Sequence, residues 1–157
     1  MKPVSIKAIV DELEFQSPEV SSYLNTKTGA IEMLIGDDER RAMEVLEGGL
    51  APEESDLPPE IITLVEAIHD GSDDIIQLPD SFDIHEYSLI EDFCFRIEDP
   101  EIKEIMLDVI RGTGAFRRFR DNAERFDLME DWYAYRTSRL TELAKDWCDD
   151  NDIPWKP

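Results

Sequence analysis

Positive charge is what this chain has least of. Its 157 residues hold 16 Lys and Arg against 38 Asp and Glu, a formal net charge of -22 at pH 7. Phosphate backbones are gripped by cationic surface and the release of counterions, so this balance argues against a general nucleic-acid binder. No extended nucleic acid is expected as a partner. Cysteine is scarce too: Cys94 and Cys148 lie far apart, in no Cys-x-x-Cys or Cys/His arrangement. Zinc and thiol redox chemistry lose their usual signature, and both sulfurs are expected to be reduced core residues. Long apolar runs are absent as well. The longest, Ile61 to Val65, is broken by Glu66, far short of the roughly 20 residues of a membrane span. The opening residues Val4-Ser5-Ile6-Lys7-Ala8-Ile9-Val10 run straight into Asp11-Glu12, unlike the apolar stretch of a secretion signal. No membrane partner and a cytoplasmic location are expected.

Catalytic signatures are equally thin. His85-Glu86 is followed at the decisive position by Leu89, so the second histidine of His-Glu-x-x-His is missing. His69 precedes Asp70, Asp73 and Asp74, which lack the register and terminal glutamate of a calcium loop. No Gly-x-Ser-x-Gly and no phosphate-binding loop of the Gly-Lys-Ser/Thr type occurs. No catalytic residue, metal or cofactor is expected.

Enough apolar material is present for a core: hydrophobic residues make up 41% and aromatics 9%. A chain of this length buries about 70% of its unfolded surface, and one domain spanning 1-157 is expected. Ile6, Ile9, Val10 and Leu13 follow helical spacing behind Ser5 as a cap. Val20 to Thr26 and Ala30 to Ile35 read as a hairpin turned at Lys27-Thr28-Gly29, and Asp74 to Pro79 as a candidate third strand. Gly36-Asp37-Asp38-Glu39 starts a helix striped by Ala42, Met43 and Leu46 and stopped at Gly48-Gly49. Residues 50-60 read as an exposed connector, and Ile61 to His69 favours helix. From Ser81 the pattern is helical throughout, with Asp99-Pro100 as a cap and first-turn proline. Phe116, Phe119, Ala123 and Phe126 line one later helix, and Tyr133, Leu140, Leu143, Ala144 and Trp147 the last. The expected class is α+β, with a small antiparallel sheet from the N-terminal half, a mainly helical C-terminal half and a single core.

Charge is uneven along the chain. Residues 1-60 carry 14 acids and 5 bases and residues 61-100 carry 11 and 1, whereas residues 101-157 carry 13 and 10. Residues 111-125 hold five arginines against Asp121 and Glu124, a local net of +3. Arg111 precedes Gly112-Thr113-Gly114, and Arg117, Arg118 and Arg120 follow at the start of a helix. A glycine turn leading into a helix N-terminus favours anions, and arginine matches phosphate and carboxylate geometry. Arg111, Gly112, Gly114, Arg117, Arg118 and Arg120, with Tyr133 and Arg136, are therefore the candidate site for a small anion or an acidic partner. The competing reading is that these arginines tie the protein's own acidic helices together.

Three stretches together carry a resemblance: Leu78-Pro79-Asp80 with Ile84 to Phe93, Ile110-Arg111-Gly112-Thr113-Gly114-Ala115-Phe116-Arg117-Arg118-Phe119-Arg120-Asp121, and Trp132-Tyr133-Ala134-Tyr135-Arg136 with Trp147. The hairpin Tyr23 to Gly29 is similar as well. The chain resembles Uncharacterised Protein Family 0158, a group of small acidic bacterial proteins, with Thr113 standing where arginine is expected in many members. The resemblance implies a bacterial cytoplasmic protein and carries no established activity. The expected function is thus a binding or adaptor module for an anion or acidic partner. The alternative is an enzyme acting on a small anionic substrate in a cleft between the arginine turn and the Tyr87 to Asp92 helix.

Overall fold

A computed structural model describes residues 2-15 and 17-157. They divide into two compact units, one running up to Asp80 and including Ala144–Pro157, the other Ser81–Leu143. The class is α+β as expected.

In the first unit the hairpin forms β2, Val20–Asn25, and β3, Ile31–Ile35, paired antiparallel from Val20 with Ile35 to Leu24 with Ile31. Its turn is closed by the Asn25 carboxamide oxygen, which accepts from the backbone N-H of Lys27 and Thr28 at 3.0 and 3.3 Å. Gly29 takes φ +76°, a left-handed conformation that glycine adopts without steric cost. The third strand is β4, Ile75–Gln77, antiparallel to β2 on its other side, giving the order β3-β2-β4.

Alternation places Tyr23 and Leu34 on one face of this sheet, where they form a buried cluster with Ala42, Leu64 and Val65. Those last three come from α2, Gly36–Leu46, and α3, Pro59–His69. Helix α1, Ile6–Glu14, is capped as expected, the Ser5 hydroxyl accepting from Ala8 N-H at 3.2 Å, and buries Ile6, Ile9, Val10 and Leu13.

Two readings of this half need correcting. The 50-60 segment is not exposed throughout: Ser55 is buried, its hydroxyl donating to the Pro52 carbonyl at 2.7 Å, and Leu57 packs on the cluster. The segment must cross from α2 to α3 over their shared core, and a short helical turn at Pro52–Glu54 makes that crossing. Leu46, read as part of a buried stripe, is 37% exposed, because Ala42 alone of that stripe is fully covered. A further pairing carried no sequence signal. Val4–Ser5, β1, lies parallel to Trp155–Lys156, β5, with Val4 N-H donating to the Pro154 carbonyl at 2.9 Å.

The second unit is helical. Ser81–Ile84 forms α4, and His85, at φ +52°, breaks the chain before α5, Glu86–Phe95. Helix α6, Pro100–Val109, starts at Asp99, whose carboxylate accepts from Glu101 and Ile102 N-H at 2.9 and 3.2 Å. Helix α7 is Ala115–Arg125, and α8 is Met129–Asp150, whose residues from Ala144 belong to the first unit. The core gathers Phe93, Phe119 and Trp132 in edge-on contacts, with ring centroids 5.0 to 6.1 Å apart. Phe116 and Tyr133, read as core positions, are 54% and 56% exposed. Each sits one residue from the true stripe, which runs through Ala115, Phe119 and Ala123 in α7 and through Trp132 in α8. No described helix is long and apolar enough to cross a membrane.

Candidate anion-binding turn

The last carbonyls of a helix have no partner within it, and at the end of α6 and in the turn beyond it four carbonyls, those of Val109, Ile110, Arg111 and Thr113, are taken up by side chains. Arg118 does most of this. Its Nε donates to the Val109 carbonyl at 2.7 Å, and its two terminal nitrogens donate to the carbonyls of Arg111 and Thr113. The Tyr87 hydroxyl, from the first turn of α5, donates to the Ile110 carbonyl at 3.1 Å. One guanidinium and one phenol thus close the turn between α6 and α7.

The glycines make this closure possible for two different reasons. Gly112 has φ +77° and open space where a Cβ would stand, so its requirement is purely conformational. Gly114 has φ +80°, and a Cβ there would come within 3.0 Å of the Arg118 Nη1. The Arg118 guanidinium therefore lies against Gly114, and a Cβ there would require it to give by a few tenths of an ångström.

Past the turn, α7 begins without a side-chain cap. Its unpaired first-turn N-H groups carry the positive end of the helix dipole. Arg117 and Arg120, three residues apart, are exposed on this helix. Asp121 and Glu124 are four residues beyond them, yet among the described residues neither arginine makes an ion pair, and neither does Arg111. Arg111 also lines a concavity of about 650 Å³ that runs along α6 from Pro100 and includes Lys103. Of the five arginines in residues 111-125, Arg118 is locked onto carbonyls, Arg125 lies 5.1 Å from the Phe126 ring, and Arg111, Arg117 and Arg120 are open to solvent.

The family model described as an uncharacterised protein family, UPF0158, matches residues 1–156. The chain belongs to UPF0158. A relative of that name, UPF0158 protein PA5073 from Pseudomonas aeruginosa, is 25% identical over 156 residues, covering 98% of this chain and 87% of the relative. No solved structure matches the chain.

The remaining candidates of this UPF0158 member sit on α8. Arg136 faces Glu86 of α5 with both carboxylate oxygens in reach, its Nε at 3.2 and 3.3 Å and its Nη2 closing the pair. That arginine is half-buried and neutralised, a tie between helices. Tyr133 is exposed. Its neighbour Tyr135 is instead part of the aromatic core, 5.7 Å from Phe93, with the Arg96 guanidinium 5.0 Å from its ring. A second tie joins α8 to α5 through Arg139, which reaches Asp92 at 3.2 Å. The hydrogen bond to Asp92 is the main reason the Arg139 pKa is held above its ordinary value.

Sequence reasoning set the Tyr87 to Asp92 helix beside the turn as a cleft wall in the alternative reading but assigned Tyr87 itself no part in closing the turn. It stands 23 residues before Ile110, and nothing in spacing links a tyrosine of one helix to a carbonyl at the end of the next.

Proposed function

We propose that this protein is a binding or adaptor module that takes an anionic ligand at the arginine-glycine turn. The ligand is a phosphate, a carboxylate or a short acidic segment of a partner. The observation that carries the reading is the trio Arg111, Arg117 and Arg120, exposed and free of ion pairs among the described residues, beside the uncapped start of α7. In this reading Arg118, Gly112 and Gly114 shape the turn, and the trio supplies the charge. Tyr133 and Arg136 are outlying members, Arg136 already answered by Glu86.

Size follows from charge. A local net of +3 in residues 111-125 stands within a chain of -22. Exposed charges are screened beyond about 8 Å at physiological salt, so the arginines act on what touches them. A long polyanion would overrun the patch into acidic surface. Cytoplasmic work belongs to the same proposal: Cys94 and Cys148 are free and buried, as suits a reducing compartment.

Titration of the isotopically labelled protein with pyrophosphate, followed through backbone amide resonances, tests the reading. Shifts concentrated at Arg111 to Arg120 that saturate in the millimolar range or below support it. Shifts spread over the surface, or none, overturn it.

A further inference from the structure

The sheet of the first unit ends on an open edge. β3 pairs with β2 on one side, and no described strand occupies the other. Such edges are ordinarily guarded by proline, lysine, a bulge or extreme shortness. β3 reads Ile-Glu-Met-Leu-Ile, five residues in unbroken register with β2, with neither proline nor lysine and with Glu32 as its one charge. It also shows apolar surface, with Met33 57% and Ile35 50% exposed at alternate positions, while Leu34 between them is buried.

The charge around this edge is uncompensated. The described bases closest to β3 in sequence are paired: Lys27 with Asp74 at 3.1 Å, Arg40 with Asp37 and Glu44 at 2.8 Å each, and Arg41 with Asp37 at 3.4 Å. Glu32 within β3 makes no ion pair among the described residues. Neither does Glu19, whose carbonyl accepts from Gly36 N-H at 3.0 Å just past the strand, nor Glu12, which accepts from the Ser22 hydroxyl opposite Met33 at 3.4 Å. Apolar side chains, an edge that no described strand occupies and carboxylates without ion pairs among the described residues therefore meet at β3.

We propose that β3 is a docking edge for an extended basic segment of another protein, which adds to the sheet as a fourth strand. Its apolar side chains lie beside Met33 and Ile35 and its Lys or Arg side chains beside Glu32, within the roughly 5 Å of cross-strand neighbours. A second copy of this chain fits less well. Each copy carries -22, and antiparallel self-pairing centred on Met33 would set each Glu32 opposite Leu34 of the other copy, with no base to answer either carboxylate. The inference goes beyond the arginine-turn reading, involves none of its residues and stands or falls separately.

The test uses two soluble seven-residue peptides, one alternating valine with lysine and one alternating valine with glutamate. Amide hydrogen exchange of residues 31-35 is read at 0.15 M salt. The lysine peptide at saturation is expected to slow the open-edge amides at least tenfold, and the glutamate peptide to leave them unchanged. Glu32→Lys should weaken the lysine peptide several-fold and strengthen the glutamate peptide, while the milder Glu32→Gln should remove only part of the preference. Equal response to both peptides, or no slowing at millimolar peptide, overturns the proposal. So does slowing that follows protein concentration alone, which would make a second copy the occupant.

Discussion

Arg117 and Arg118 are neighbours of the same type, and the fold gives them opposite work. The sequence made the cluster visible through local charge, but it could not distinguish a guanidinium bound to carbonyls from one facing water. The carbonyls of Val109, Arg111 and Thr113 converge only once α6 has ended and turned back. Hydrogen bonds to a charged group contribute about 1.5-3 kcal/mol when buried and less at a partly exposed site. Arg118→Ala is therefore expected to cost roughly 2 kcal/mol and lower the Tm by about 4-8 °C. Arg117→Ala should leave the Tm within about 2 °C, and thermal melts of the two variants check the contrast. The cysteines give a second prediction at this scale. Burial, aided by Glu91 and Asp149 respectively, pushes the thiols of Cys94 and Cys148 up to about 11. The folded state thus favours the neutral thiol. This stabilisation is complete below the ordinary thiol pKa and is lost as pH rises toward 11, by up to about 3 kcal/mol per thiol. The Tm should fall between pH 9 and 11, and Cys94→Ala should make that decline shallower.

Among the elements, helices with caps and strong periodicity were the readable ones. Ser5 and Asp99 stand where they cap α1 and α6, and the hairpin turns at Gly29 as its residues dictate. Periodicity locates a stripe to within a residue, which is why Phe116 and Tyr133 were placed inside while Ala115 and Trp132 hold those places. The pairing of Val4–Ser5 with Trp155–Lys156 was illegible for a different reason. A two-residue strand has no pattern, and its partner lies at the other end of the chain. The glycine turn belongs to this scale because it joins two helices. At Gly114, alanine would meet both an unfavourable positive φ and the Arg118 guanidinium at 3.0 Å, whereas at Gly112 it meets the φ penalty alone. Gly114→Ala should therefore cost more than Gly112→Ala, about 2-3 kcal/mol against about 1. Equal losses in urea unfolding would mean that Arg118 does not depend on the close approach.

For the whole molecule, sequence separation and charge set the expectations. The first unit is completed by the chain's last residues: Ile153 is buried, Trp155 Nε1 donates to Asp149 at 3.0 Å, and Lys145 lies 5.2 Å from the Trp155 ring. Deleting residues 151-157 should thus lower the Tm and raise hydrogen exchange across α1, although the cut lies more than 130 residues from that helix in sequence. Over this scale the net -22 supplies no attraction for an anion, so the binding proposed at the turn must come from the few guanidiniums in contact. Removing two of the free ones is then the most direct measurement. Calorimetric titration of pyrophosphate into the wild type and into the Arg117→Ala, Arg120→Ala double variant, with melts of both, separates binding from folding. The account predicts at least a tenfold loss of affinity with the Tm held within about 2 °C. Unchanged affinity would contradict it, as would a Tm lower by many degrees together with a wild type that no anion binds.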